Sequence, residues 1–282
     1  MKILSYSRRQ DAPSSATAMQ DLLDGFKNGK MQQFGRAAET PMKNVEFIVF
    51  WSKFPSALEE VLDQIPVPFY ILYTITGLGS MHEPNVPTVQ EQIDLFIRLS
   101  KTLGKDRVIW RFDPVVIDDN ITVKDSIDRF RFIGSHLHDY TNRMVFSFVD
   151  TSYLRSGSQT GYKYRPVSAA DQTFFLGAMV DVASRWQLPI YSCAENLDHP
   201  MIRNHKCIDD ELISKITGKP IIYKKDKKQT RIFCQCHEST DVGSYASSCP
   251  FQCGYCYGVY FRSQHQNRQN QRMAKLNTLK SK

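Results

Sequence analysis

Apolar positions along the first two hundred residues follow two alternating rhythms. Short β-rich runs, several of them continuously apolar as in strands buried on both faces, fall at residues 2–7, 45–51, 69–76, 107–112, 144–149 and 189–194. Between them the spacing turns helical. Residues 12–29 carry Pro13 and Ser14 at the start and Met19, Leu22, Leu23 and Phe26 on one face. Residues 55–64 read as a short helix, and residues 88–103 as a longer one, capped by Thr88 with Glu91 three positions on and stopped by Gly104. Residues 122–140, 168–187 (Ser168 as cap, Asp171 in the first turn) and 209–217 (ahead of Gly218) complete the set. Six βα units imply a parallel sheet with helices outside it. Six rather than eight predicts an α/β fold of the partial or TIM-like barrel kind, a (βα)6 barrel or strongly curved sheet over residues 1–220, with a doubly wound sheet as the alternative. Past residue 221 the rhythm stops. A cysteine-rich metal-binding segment is expected over 221–262, packed on the barrel, and a Gln/Asn/Lys/Arg-rich tail over 263–282 is expected to be disordered.

At 282 residues with 41% hydrophobic positions, the chain can bury a sizeable core, and no run approaches the ~20 apolar residues that cross a bilayer. The N-terminus lacks a signal-peptide pattern, so a cytoplasmic protein without a membrane partner is expected. The net charge of +7 is concentrated: Arg262, Arg268, Arg272, Lys275, Lys280 and Lys282 stand in a final stretch without acids. A second basic run surrounds Asp226 at residues 224–228. Either run could meet phosphates, or simply be solvated.

Polar residues recur where the strands end: Arg8 and Arg9, Lys53, Thr74 and Thr76, Arg111 and Asp113, Ser147 and Asp150, then Cys193, Glu195 and Asn196. In parallel α/β folds ligands bind beyond the carboxyl ends of the strands, so these residues outline a charged pocket. Glu195, Arg111 and Asp113 are the catalytic candidates, Thr76 and Asn196 would touch a cofactor, and Arg8, Arg9 and Lys53 would meet an anionic substrate. The glycine-bearing loop 76–80 reads as a turn, and the aromatic, basic loop 153–166 as a lid or a contact for an acidic partner.

Seven cysteines in a reducing compartment point to metal rather than disulfides, and five fall close together: Cys234, Cys236, Cys249, Cys253 and Cys256. The spacing C-x3-C-x2-C from Cys249 to Cys256 can offer three thiolates to three irons of a cubane cluster and leave the fourth iron open. Cys207, Cys234 and Cys236, with Cys193, could supply a fourth ligand or a second metal site. Zinc is the alternative, in a four-cysteine knuckle of Cys234, Cys236, Cys253 and Cys256. His199, His205 and His237 lie nearest the cysteines and are the histidines to weigh as ligands.

The run from Cys249 to Cys256, with Tyr255 before the last cysteine, resembles the radical S-adenosylmethionine signature. That resemblance implies a [4Fe–4S] cluster, S-adenosylmethionine bound at the open iron, an electron donor as partner, and a 5′-deoxyadenosyl radical taking hydrogen from substrate. Two features differ: the triad follows the sixth strand rather than the first, and no Gly-Gly-Glu segment follows the second. Either the barrel is permuted in sequence or the protein carries a cluster without that cofactor. Residues from Ser7 to Tyr257 also resemble the domain of unknown function 1848 family. The resemblance rests on Ile48-Val-Phe-Trp51-Ser-Lys53, on Arg107-Val-Ile-Trp-Arg111-Phe-Asp113-Pro, on Cys207-Ile-Asp209, on Asp241-Val-Gly243 and on the Cys-Gly-Tyr-Cys-Tyr ending. The expectation is therefore an iron–sulfur enzyme of radical S-adenosylmethionine type acting on an anionic small molecule, nucleotide or nucleic acid. The alternative is a zinc- or cluster-stabilised nucleic-acid-binding protein without radical chemistry.

Overall fold

The computed structural model of the protein describes residues 1–8, 10–32, 39–154, 161–197, 199–204, 206–228, 231, 233–243, 249–256 and 258. In chain order its elements are β1 (Lys2–Tyr6), α1 (Ala16–Asn28), β2 (Lys30–Gln32), β3 (Glu39–Pro41), β4 (Val45–Ser52), α2 (Ser56–Glu59), β5 (Phe69–Thr74) and α3 (Val89–Leu103). There follow β6 (Val108–Val115), α4 (Val123–Leu137), β7 (Met144–Phe148), α5 (Ala169–Arg185), β8 (Ile190–Ser192), β9 (Ile202–Asn204), α6 (Asp210–Thr217) and β10 (Thr240–Val242). Eight strands form one parallel sheet in the order β10-β1-β4-β5-β6-β7-β8-β9, while β2 and β3 pair apart from it.

The sheet has eight strands where the apolar rhythm predicts six. The two extra ones, Ile202-Arg203-Asn204 and Thr240-Asp241-Val242, are three residues long and mostly polar, so no apolar run marks them. The cysteine-rich segment, expected to pack on the sheet, contributes a strand to it: β10 pairs with β1, Leu4 opposite Thr240. The helix expected over 55–64 is two separate turns, Ser56–Glu59 and Leu62–Gln64. The expected tail over 263–282 lies outside the described residues.

Helix ends follow their local chemistry. Thr88 with Glu91 and Thr122 with Asp125 form reciprocal capping boxes, and the Asp209 carboxylate accepts from the backbone N–H groups of Glu211 and Leu212. Gly29 and Gly218 close α1 and α6 in the left-handed conformation, at φ 71° and 68°, which costs glycine little.

The two faces of the sheet differ. Leu4, Ile48, Phe50, Ile71, Trp110, Phe112, Phe146 and Ile190 join the buried side chains of α1 through α5 in the larger core. Each large apolar side chain taken from water there stabilises the fold by roughly 1.5–3 kcal/mol. At its centre Trp110 stacks on Phe130, ring centroids 5.3 Å apart, and α4 comes so close to Trp186 that only Gly134 fits beneath that ring. The opposite face carries Ile3, Phe47, Val49, Tyr70, Leu72, Ile109 and Val145, and among the described residues it meets α6 and the cysteine-bearing segments. Alternation along β6 and β7 puts Arg111, Asp113 and Ser147 on this second face, and Ser147 Oγ donates to Asp113 Oδ1 at 2.7 Å. Among the described residues no helix is long and apolar enough to cross a membrane.

Candidate functional site

Two polar groups lie where the sequence reading points, one around Lys53 and one around Arg8 and Arg111. Lys53 follows directly on β4 and Thr76 stands just beyond β5, so both sit at the carboxyl edge of the sheet. The Lys53 ammonium forms an ion pair with Glu83 and also donates to Thr76 Oγ1 at 3.1 Å. Glu83 accepts from Thr76 Oγ1 at 2.6 Å and from the Tyr255 hydroxyl. Burial pushes the Glu83 carboxyl up, but Lys53, Thr76 and Tyr255 together outweigh it and hold the group below its usual range. It is therefore a fixed anion that organises its neighbours.

That network carries the triad loop. The Tyr255 ring lies under Lys53 Nζ, 5.4 Å from its centroid, and meets the edge of Tyr164 at 6.2 Å. Gly254 N donates to the His82 carbonyl at 2.8 Å and Asn85 Nδ2 to the Pro250 carbonyl at 2.8 Å, which pins the turn to the loop after β5. Cys253 is buried, and Cys249, Cys256, Lys53 and Glu83 all lie within its electrostatic reach. Burial holds its thiol well above the usual range, which makes it a poor nucleophile. Among the described residues no three His, Cys, Asp or Glu side chains have converged into an assembled metal-ligand group.

The second polar group sits on the face opposite the five helices. Arg8 Nη1 lies 3.3 Å from both Asp226 and Asp241 and its guanidinium covers Trp51 at 5.5 Å. Arg111 pairs with Asp113. Beside them are Cys207 and Cys236, buried, and Cys193 and Cys234, partly buried. Cys193 Sγ is 3.5 Å from Cys207 Sγ. Cys234 and Cys236 thus join Cys193 and Cys207, while Cys253 and Cys256 join Lys53 and Glu83, so the knuckle drawn from both pairs is not brought together.

Other expected site residues go elsewhere. Glu195 accepts from Phe148 N at 3.0 Å and lines an open cleft of about 580 Å³ with Asp150, Gln172 and Arg231. Burial moves its carboxyl above the usual range. Asn196 is exposed on the surface. Arg9, His205 and residues 155–160 of the expected lid lie outside the described residues. His199 Nδ1 accepts from Met201 N at 3.2 Å, and His237, in an isolated antiparallel bridge with Lys225, accepts at Nδ1 from Lys224 N at 3.2 Å.

Sequence reading misses Glu83 and Asp11. Glu83 lies in a loop and no local pattern marks it. Asp11 precedes a helical run and looks like a cap, yet its side chain accepts from Ser52 Oγ and Lys53 N at 2.6 Å each, across the site. Burial lifts its carboxyl from 3.8 to about 6, against those hydrogen bonds and Lys53. A carboxyl raised in the fold binds more protons there than in the unfolded chain. Its contribution is therefore present below pH 3.8 and lost as the pH rises through about 6. Relative to Asp11→Asn, the wild type should lose on the order of 3 kcal/mol of stability as the pH rises across that window. Urea melts at several pH values measure it, and a pH-independent difference would rule the assignment out.

No curated protein matches the sequence. The family model described as a domain of unknown function, DUF1848, matches residues 3–258, a span that includes both cysteine groups and the Lys53–Glu83 pair. The chain therefore belongs to the DUF1848 family.

Proposed function

We propose that the protein is an iron–sulfur enzyme resembling the radical S-adenosylmethionine group, with its cluster held by Cys249, Cys253 and Cys256 at the carboxyl edge of a TIM-like barrel. The observation that carries this reading is the triad loop clamped by Glu83, Lys53 and Tyr255 just beyond β4 and β5. That edge is where parallel α/β folds bind ligands. The barrel is read from the near-sequential strand order, with β10 returning beside β1, and from five helices on one face against α6 on the other.

The donor set fits a cubane cluster. Three soft thiols stand on one turn, and the remaining four cysteines gather elsewhere, which leaves one iron without a protein thiol. A bound cluster supplies one-electron chemistry and an open coordination position for a small ligand such as S-adenosylmethionine, with an external electron donor. The chain's own residues do the positioning. Glu83 fixes Lys53 and Tyr255, Tyr255 and Tyr164 cover the buried thiol, and Thr76 orients the Lys53–Glu83 pair rather than a cofactor. Glu195, raised by burial in its cleft with Arg231, is the group suited to proton transfer. The net charge of +7 and Arg231 make an anionic substrate, a nucleotide or nucleic acid, the first class to try. Arg8 and Arg111 contribute less to that than their positions in the sequence suggest, because carboxylates already neutralise them.

Anaerobic purification followed by iron, sulfide and zinc analysis tests the reading. About four irons and four sulfides per chain are expected, as in a cubane cluster, and they should be lost in Cys253→Ala with the circular dichroism unchanged. Stoichiometric zinc without iron would sink it and leave a zinc-stabilised nucleic-acid-binding protein.

A further inference from the structure

We propose that Cys193, Cys207, Cys234 and Cys236 form a second metal centre, separate from the triad, which holds one tetrahedral soft ion through four thiolates, zinc in the first instance. The four come from three separated stretches: Cys193 just after β8, Cys207 just before α6, and Cys234 with Cys236 ahead of β10. No local repeat brings them together; the fold does. All four belong to one cluster on the second face of the sheet, and none is in a disulfide.

Distance separates the possible uses of such a group. A disulfide needs sulfurs about 2.05 Å apart. Thiolates on one tetrahedral zinc, each at about 2.3 Å from the metal, stand roughly 3.8 Å apart along the edge. Thiolates on a cubane bind separate irons and stand farther apart still. The observed Cys193–Cys207 separation of 3.5 Å falls nearest the single-ion value. Cys236 lies within electrostatic reach of both Cys207 and Cys234. Among the described residues no three of these thiols are gathered on one point, and a single ion is what would draw them together.

The backbone around the thiols is held. Cys193 N donates to the Phe146 carbonyl at 2.8 Å, and the Cys207 carbonyl accepts from the Tyr70 hydroxyl at 2.6 Å. The Cys236 carbonyl accepts from Asp226 N at 2.9 Å, and His237 N donates to the Ile208 carbonyl at 2.9 Å. Four thiolates on a divalent ion leave two negative charges in a buried place. Arg8, within electrostatic reach of Cys236 and Cys207, and Arg111, within reach of Cys193, are cations close to those charges, which they would share with the Asp226, Asp241 and Asp113 carboxylates. This gives both arginines a role that fits their carboxylate clamps, which hold the guanidiniums in place. Tetrahedral four-sulfur sites take zinc or a single iron, and the proposal covers either as a mononuclear site.

The experiment is metal analysis of the full chain, purified without oxygen, as wild type, Cys207→Ser, Cys234→Ser and Cys253→Ser. Cys207→Ser and Cys234→Ser should each lower zinc, or mononuclear iron, at least several-fold while the triad's iron and sulfide remain. Cys253→Ser should do the reverse, so this proposal and the cluster reading fail separately. X-ray absorption on the wild type should give four sulfurs at about 2.3 Å from zinc. Alkylation followed by mass spectrometry covers the case in which a variant does not fold. All four thiols of the wild type should resist alkylation until a chelator is added. A Cys193–Cys207 disulfide, free alkylation of the four thiols without chelator, or zinc and mononuclear iron both unchanged in the two serine variants would overturn the proposal.

Discussion

Glu83→Gln is expected to destabilise the protein by about 3–5 kcal/mol, because it leaves the Lys53 ammonium buried without its counter-charge. The Lys53 side chain is only 10% exposed and that of Glu83 3%, so water cannot take over the lost charge. The three donors on Glu83 also lose their shared anionic acceptor, which adds to the cost and loosens Tyr255. The paired replacement Lys53→Met with Glu83→Leu should be far milder in stability, since no charge is left stranded, although it removes the acceptor for Tyr255. The pH dependence has a definite sign. The Glu83 carboxyl is depressed in the fold, so its contribution is present above the ordinary value of 4.5 and lost as the pH falls through the folded value. Glu83→Gln removes that acid-side loss. Urea denaturation from neutral pH downwards measures both effects, and a loss below about 1 kcal/mol at neutral pH would mean the pair is solvated rather than buried.

Gly134→Ala should lower stability by a net ~2 kcal/mol although alanine is the better helix former. The propensity gain is about 1 kcal/mol. Against it, a Cβ at position 134 would lie 2.3 Å from Trp186 Cζ3, 2.6 Å from Trp186 Cη2 and 3.2 Å from Trp110 Cη2. Neither ring is free to step aside. Trp186 is stacked on His138 with planes 4° apart and leans on Phe130, which itself stacks on Trp110. Overpacking of this kind costs up to ~3 kcal/mol or more, and wins. Thermal melts should show the loss, and Gly134→Ala with Trp186→Leu should recover most of it. A single variant as stable as wild type would mean that the indole moves without resistance.

How much of this was legible in the sequence depended on how each residue earns its place. The strands β4, β5, β6 and β7 are core on both faces and announce themselves as apolar runs. The Thr88–Glu91 capping box is a local device written within four residues, and its helix follows. β9 and β10 are held by backbone pairing to neighbours already in place, so their side chains need not be apolar and carry no signal. The C-x3-C-x2-C spacing is local and so could be read directly, although among the described residues its thiols are not gathered into a metal-ligand group. Cys193, Cys207, Cys234 and Cys236 could be named together as spare thiols, but their meeting on one face of the sheet could not be read, because a turn, a helix start and a returning strand must first be folded together to produce it. Lys53 and Arg8 lie just past the ends of β4 and β1, whereas Arg111, expected to close its strand, lies inside β6, which runs on to Val115; the partners Glu83, Asp226 and Asp113 decide what these residues do.

The pairing of β10 with β1 also sets a schedule for synthesis. Strand β1 has one neighbour in β4, made soon after it, but its other edge is filled only by residues made roughly two hundred positions later. At about 5–20 residues per second, that edge stays open for roughly ten to fifty seconds in every nascent chain. An unpaired parallel edge invites strands from other chains. The late cysteine segment therefore acts as the seal on the sheet, and any truncation that removes residues 240–242 leaves this edge of β1 permanently exposed to aggregation.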